Sequence, residues 1–140
     1  MAGPKRDRPS FWALFVRSTL MAVSATLAVQ AARRLRRFEI SGRSMTPALE
    51  PGDWVLVDEF AYRGRLPRRS EIVVATDPRE PGRDLVKRVS AVDLHGGVSL
   101  EGDNPDESTD SREFGPVPAS SVKGRVRWRY WPLGRVGAVN

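Results

Sequence analysis

From Phe38 onward, apolar and polar residues alternate with a period of two, and proline or glycine interrupts each short run. That period suits a pleated strand with one buried face and does not suit a helix. Phe38 and Ile40, Trp54–Val57, Glu71–Ala75, Asp84–Val92, Val98–Glu101 and Val122–Tyr130 read as strands, with turns at Pro51-Gly52-Asp53, Asp77-Pro78 and His95-Gly96-Gly97. With eleven prolines and twelve glycines in 140 residues, short strands are expected rather than long helices. The pattern predicts a mainly β domain, a barrel or sandwich, and 140 residues leave little room for a second domain. In the final strand the alternation puts Lys123, Arg125, Arg127 and Arg129 on one face, most simply a solvated one.

The N-terminal part follows a different rule. Between Phe11 and Ala32 the strongly polar side chains are Arg17 and Gln30. Twenty-two helical residues reach roughly 33 Å, the thickness of a bilayer core. The expectation is a basic N-terminus with an anchor helix in residues 1–37, the helix covering about 11–32, and a β-rich domain in 38–140. Two alternatives stay open: a helix lying on the membrane surface, and a cleaved signal whose exit is Val29-Gln30-Ala31. Residues 1–37 hold eight basic side chains against Asp7 alone, a net of +7, and the remaining 103 residues carry a net of −1. A basic excess that flanks an apolar segment suits anionic lipid headgroups, so a lipid bilayer is the expected partner and nucleic acid is not. Basic residues at both ends nearly cancel the bias that would orient such an anchor.

The supply of reactive side chains narrows the chemistry. No cysteine is present, which removes disulfides, thiolate nucleophiles and cysteine-ligated zinc. The single histidine, His95, falls in a hairpin turn and is a poor general base. A hydroxyl nucleophile with a base other than histidine remains. Ser44 follows Ser41-Gly42-Arg43 just after a strand, where Gly42 lets the backbone approach a bound carbonyl and the Ser44 N–H faces a developing oxyanion. Lys87 sits in the strand run Leu85-Val86-Lys87-Arg88-Val89. If it shares a face with apolar neighbours, burial lowers its pKa, and a neutral amine can take a serine proton. The polar run Gly102–Gly115 supplies Ser108 to hydrogen-bond that amine, and Asp110 with Arg112 to stiffen the loop.

Three boxes of this sequence, in order, resemble the type I signal peptidase family. They are Ser41-Gly42-Arg43-Ser44-Met45-Thr46-Pro47-Ala48-Leu49 followed by Pro51-Gly52-Asp53, then Leu85–Val89, then Gly102-Asp103-Asn104 through Ser108, Asp110, Ser111, Arg112 and Phe114-Gly115. The resemblance spans roughly residues 38–132. It implies a signal-peptidase-like β-rich catalytic domain that cuts pre-protein leader peptides after small residues at positions −3 and −1. It implies Ser44 as nucleophile and Lys87 as general base, without cofactor or metal. Ser108, Asp110, Arg112, Asp103 and Arg88 become supporting residues, and the Ser44 amide an oxyanion donor. It further implies a single-pass protein of the cell membrane with its catalytic domain on the extracytoplasmic side.

Some features depart from the family's pattern. Gly42 stands where some members add a hydroxyl, and Ser70-Glu71 replaces the usual Gly-Asp. The short segment between Lys87 and Gly102 is similar to a minimal branch, which includes proteases proposed to mature nickel superoxide dismutase; the mitochondrial inner-membrane peptidases are comparably small. The alternatives are therefore a maturation protease dedicated to one such precursor and a non-catalytic, peptide-binding descendant. A self-cleaving repressor would need a helix-turn-helix module, which residues 1–37 cannot supply.

Overall fold

The stretch rich in alanine and leucine, without proline or glycine, forms helix α1, Phe11–Ala32. The computed structural model describes residues 11–32 and 34–140, which belong to two units, the second being Arg34–Asn140. In α1 the hydroxyls of Ser18, Thr19 and Thr26 donate back to carbonyls of the preceding turn, at 2.9 to 3.0 Å. Among the described residues, no helix is both long and apolar enough to cross a membrane. The expected spanning anchor is thus corrected to a helix of sufficient length but intermediate polarity, which Arg17, Gln30 and the hydroxyl residues dilute. Lys5, Arg6 and Arg8 of the basic N-terminus, and Arg33, lie outside the described residues.

The second unit is mainly β, as the alternation predicts. It is one eight-stranded antiparallel sheet: β1 Leu35–Glu39, β2 Trp54–Asp58, β3 Ile72–Thr76, β4 Asp84–Val92, β5 Gly97–Glu101, β6 Val117–Pro118, β7 Val122–Trp131 and β8 Gly137–Ala138. The order is β1-β2-β7-β3-β4-β5-β6, with β8 on β7. Strand β1 starts at Leu35, so Arg36 and Arg37 belong to the sheet. His95 is exposed in the β4–β5 turn, as expected. A short helix α2, Ser111–Phe114, lies in the polar loop after β5.

Strand β3 explains how one sheet makes two cores. Its run Ile-Val-Val-Ala is buried on both faces. Ile72 and Val74 join Val55, Val57, Val126, Met45 and Leu49. Val73 and Ala75 join Val89, Val98, Leu100, Val117 and Val122 on the other side. Fully burying each such side chain is worth about 1.5–3 kcal/mol, so β3, an interior strand between β7 and β4, contributes to both cores.

The expected alternation of β7 fails in its second half. Val57 pairs with Val126 but Leu56 pairs with Trp128, and Val55 pairs with Arg129 while Trp54 pairs with Trp131. Two extra residues, Arg127 and Tyr130, are accommodated as bulges, and each bulge shifts the facing of the residues after it. Arg129 therefore turns toward the buried side, and Trp128 and Trp131 are 43% and 50% exposed beside Leu56 and Trp54.

The inward turn of Arg129 matters for the loop between β1 and β2. Asp53, 1% exposed, accepts from the Glu50 amide at 2.9 Å, from Arg129 at 3.1 Å and from Arg135 at 3.2 Å. Arg129 also donates to the Ala48 carbonyl at 2.9 Å. Removing Asp53 leaves two arginines and an amide without their acceptor. Asp53→Ala is expected to cost about 2–4 kcal/mol, read as a lower urea midpoint with unchanged m-value.

Candidate active site

Ser44 opens a tight turn after β1. The Thr46 amide bonds to the Arg43 carbonyl at 3.1 Å and the Leu49 amide to the Met45 carbonyl at 2.9 Å. Met45 and Leu49 are both buried, so two apolar side chains pin the turn to the core while Ser44 stays half-buried beside them. Lys87 comes from the middle of β4, opposite Val73 and between Leu85 and Val89 on the inward face. It is 3% exposed. The two side chains, 43 positions apart in sequence, line one cleft of about 290 Å³, whose apolar wall includes Phe38, Ile40, Met45, Leu85 and Val86. Gly42 lines the same cleft, and a side chain there would meet nothing within 4 Å, so packing does not demand the glycine.

The loop after β5 brings the rest. The Lys87 ammonium nitrogen donates to Ser108 Oγ at 2.8 Å, and Ser108 donates in turn to Asp110 Oδ2 at 2.6 Å. The Gly102 amide donates to the same carboxylate at 2.8 Å and Arg112 Nε to its other oxygen at 2.8 Å. Burial opposes ionisation of Asp110, which is 0% exposed, but the hydrogen bonds from Arg112, Gly102 and Ser108 outweigh it and hold its pKa well below the usual carboxylate range. Burial is also the main cause that lowers the Lys87 pKa. The Asp110 charge opposes that shift, while Arg112, Arg79 and Arg83 reinforce it. Ser108 thus stands as a neutral spacer between a buried amine and a carboxylate whose charge Arg112 already balances.

Arg88 points to the opposite face of β4. It grips Asp103 through two bonds of 2.7 and 2.8 Å, and the Ser70 carbonyl at 2.8 Å, fixing the start of the loop to the sheet. The structure therefore brings Ser44, Lys87, Ser108, Asp110 and Arg112 into one region, with Asp103 and Arg88 bracing it from behind. Among the described residues, no group of histidines, cysteines and carboxylates suits a metal ion.

Two contributors escaped the sequence reading. The Asn104 amide donates to the Ser44 carbonyl at 2.9 Å and its side chain to the Arg43 carbonyl at 3.3 Å. A Cβ on Gly102 would collide with Ser108 Oγ and lie 2.5 Å from the Ser44 carbonyl, so only glycine lets these two segments meet. Both residues fall in a run of turn formers, and nothing local marks contacts with partners about sixty positions away.

The family model for signal peptidase, peptidase S26, matches residues 12–93 and 95–131. The chain is 35% identical over 118 residues to the mitochondrial ATP-independent inner membrane protease subunit 1b of Arabidopsis thaliana, covering 69% of this chain and 70% of that protein. It is 33% identical over 116 residues to the human mitochondrial inner membrane protease subunit 1, with 69% and 70% covered. Against subunit 2 from Danio rerio it is 29% identical over 146 residues, with 89% and 79% covered. The chain belongs to the signal peptidase S26 family.

A buried lysine with a lowered pKa carries a stability cost. The unfolded chain binds the Lys87 proton more tightly, so the cost is fully present below the folded pKa and vanishes as pH rises past the ordinary value of 10.5. Lys87→Met is expected to raise the thermal midpoint near neutral pH, and its advantage over wild type to shrink toward pH 10.5 and beyond. Melting curves of both proteins across that range check this.

Proposed function

We propose that this member of the signal peptidase S26 family is a membrane-associated serine endopeptidase that removes leader peptides from pre-proteins with a Ser44/Lys87 dyad. The observation that carries the reading is the buried Lys87 amine, lowered in pKa mainly by desolvation, lining one cleft with Ser44 and hydrogen-bonded to Ser108. An amine whose pKa is lowered is neutral at lower pH than an exposed lysine, and a neutral amine can accept a proton.

Chemistry follows from the positions. The neutral Lys87 amine takes the Ser44 hydroxyl proton as the oxygen attacks the scissile carbonyl carbon. The Ser44 backbone N–H stabilises the resulting oxyanion. The Lys87 ammonium then protonates the leaving amine, and the peptide bond breaks to give an acyl-serine and a new N-terminus. Water, deprotonated by Lys87, attacks the ester, and collapse returns the proton to Ser44 and releases the leader carboxylate. Ser108 aims the amine, and Asp110, held by Arg112, aims Ser108. The apolar wall of the cleft suits small leader side chains at −3 and −1.

Membrane association draws support from the relatives, whose names place them at an inner membrane, and from exposed Trp128 and Trp131 on the outer face of β2 and β7. A general secretory leader and a single dedicated precursor are distinguished by substrate. A panel of leader peptides in detergent, including Ala-x-Ala secretory leaders and a nickel superoxide dismutase leader, decides between them.

Ser44→Ala and Lys87→Ala are each expected to lower kcat by roughly 10³-fold or more while the fold survives. Retention of wild-type rates by either variant defeats the dyad. For wild type, kcat/KM should rise with pH through an ionisation below the usual lysine range, then level off. Arg112→Met removes a cation that depresses the Lys87 pKa and uncovers the Asp110 charge, so this ionisation should move to higher pH. An unmoved pH profile in a folded Arg112→Met variant contradicts the assigned electrostatics.

A further inference from the structure

The rim of the cleft carries charges that take no direct part in bond cleavage, although Arg79 and Arg83 add to the lowering of the Lys87 pKa. Its charged side chains are Arg43, Arg79, Arg83, Asp84 and Glu107, besides Lys87. Most already have partners. Arg43 pairs with Glu107 at 3.2 Å, and Asp84 is taken by Lys123. Arg79 grips the Asp77 carboxylate, which is 1% exposed, through bonds of 3.0 and 2.9 Å, and its guanidinium stacks over the Phe114 ring.

Arg83 is different. Its counter-ion is Glu80 at 3.3 Å, and the two side chains are 58% and 66% exposed. A pair so exposed is worth about 0.2–1 kcal/mol, little enough for a better-placed anion to replace it. The backbone beneath Arg83 is nonetheless well fixed. The Asp77 amide bonds to the Arg83 carbonyl at 2.9 Å, the Arg83 amide to the Glu80 carbonyl at 3.0 Å, and the Arg79 amide to Asp77 Oδ1 at 3.0 Å. Gly82, with φ +105°, supplies the left-handed residue that this β3–β4 turn requires. The turn leads directly into β4, three residues before Lys87.

We infer that Arg83 forms a subsite that takes an acidic side chain of the bound peptide, so that the cleft selects substrates carrying Asp or Glu close to the scissile bond. This rests on the reading of the cleft as a peptide-binding site. A guanidinium on a rigid turn, weakly paired and facing the cleft, offers a carboxylate a two-point contact without first breaking a buried bond. The Arg43–Glu107 pair, with side chains 62% and 49% exposed, is comparably weak, so the peptide scan also reads any contribution from Arg43.

The test uses the full chain in detergent. Fluorescent leader peptides carry Ala, Asp or Lys in turn at each position around the cleavage site. Binding is measured to Ser44→Ala and to Ser44→Ala with Arg83→Glu, and cleavage by wild type is followed in parallel. The expected result is a position at which the Asp peptide binds Ser44→Ala about 5- to 10-fold tighter than the Ala peptide at low salt. The preference should shrink at 0.5 M salt and pass to the Lys peptide in the Arg83→Glu background. Ratios between peptides cancel any general weakening of the variant. Equal binding of Asp and Ala peptides at every position, no binding of the Asp peptides, or a preference unaltered by Arg83→Glu overturns the subsite. If wild type cuts the Ala peptides but no position discriminates, the protease reading stands and the subsite falls. If nothing is cut while the Arg83-dependent preference is seen, the subsite stands and the protease reading falls.

Discussion

The carboxylate of Asp110 is fully buried, and the arrangement of the site depends on keeping it ionised there. An isolated charge in that position would be expelled or neutralised. Arg112, the Gly102 amide and the Ser108 hydroxyl each donate to it, which fixes the loop, the glycine and the serine in one step. Ser108, with its own proton committed to Asp110, turns its acceptor lone pair toward Lys87. The loop that carries these groups also carries Asn104, which holds the carbonyls of Arg43 and Ser44. One buried charge thereby sets the positions of both the Ser44 turn and the Lys87 amine.

The same network solves a problem of protonation. A lysine paired directly with a carboxylate would stay charged. Here a hydroxyl intervenes, Arg112 balances the carboxylate, and the cations at the rim add repulsion, so desolvation prevails and the Lys87 pKa falls. The price is stability, since burying an amine without a direct counter-ion is unfavourable. That is the usual signature of a group kept for chemistry.

The larger framework holds the other side of the cleft. Two bulges in β7 bring Arg129 inward to Asp53, and Arg129 with Arg135 clasps the end of the loop that begins with Ser44. A strand without bulges would have exposed Arg129 and left Asp53 with Arg135 as its remaining cation. The same bulges turn Trp128 and Trp131 outward.

Much of this was legible in the sequence. Period-two alternation gives the β class and most strands, because burial of one face of a pleat imposes that period wherever the chain goes. The shortage of histidine and cysteine left a hydroxyl and an amine as the candidate pair, and the ordered boxes singled out Ser44, Lys87, Ser108, Asp110 and Arg112. Apolar length alone overstated α1, because Arg17, Gln30 and the hydroxyl residues, all legible in the sequence, dilute it. The contacts of Asn104, Gly102 and Asp53, though their residues stand in the boxes, stayed invisible, because each acts on residues remote in sequence. Composition and periodicity report what a residue is and which way a regular strand turns it. Which residue it meets, whether its charge is compensated, and where a bulge reverses a face are decided only when the sheet curls and distant segments pack together.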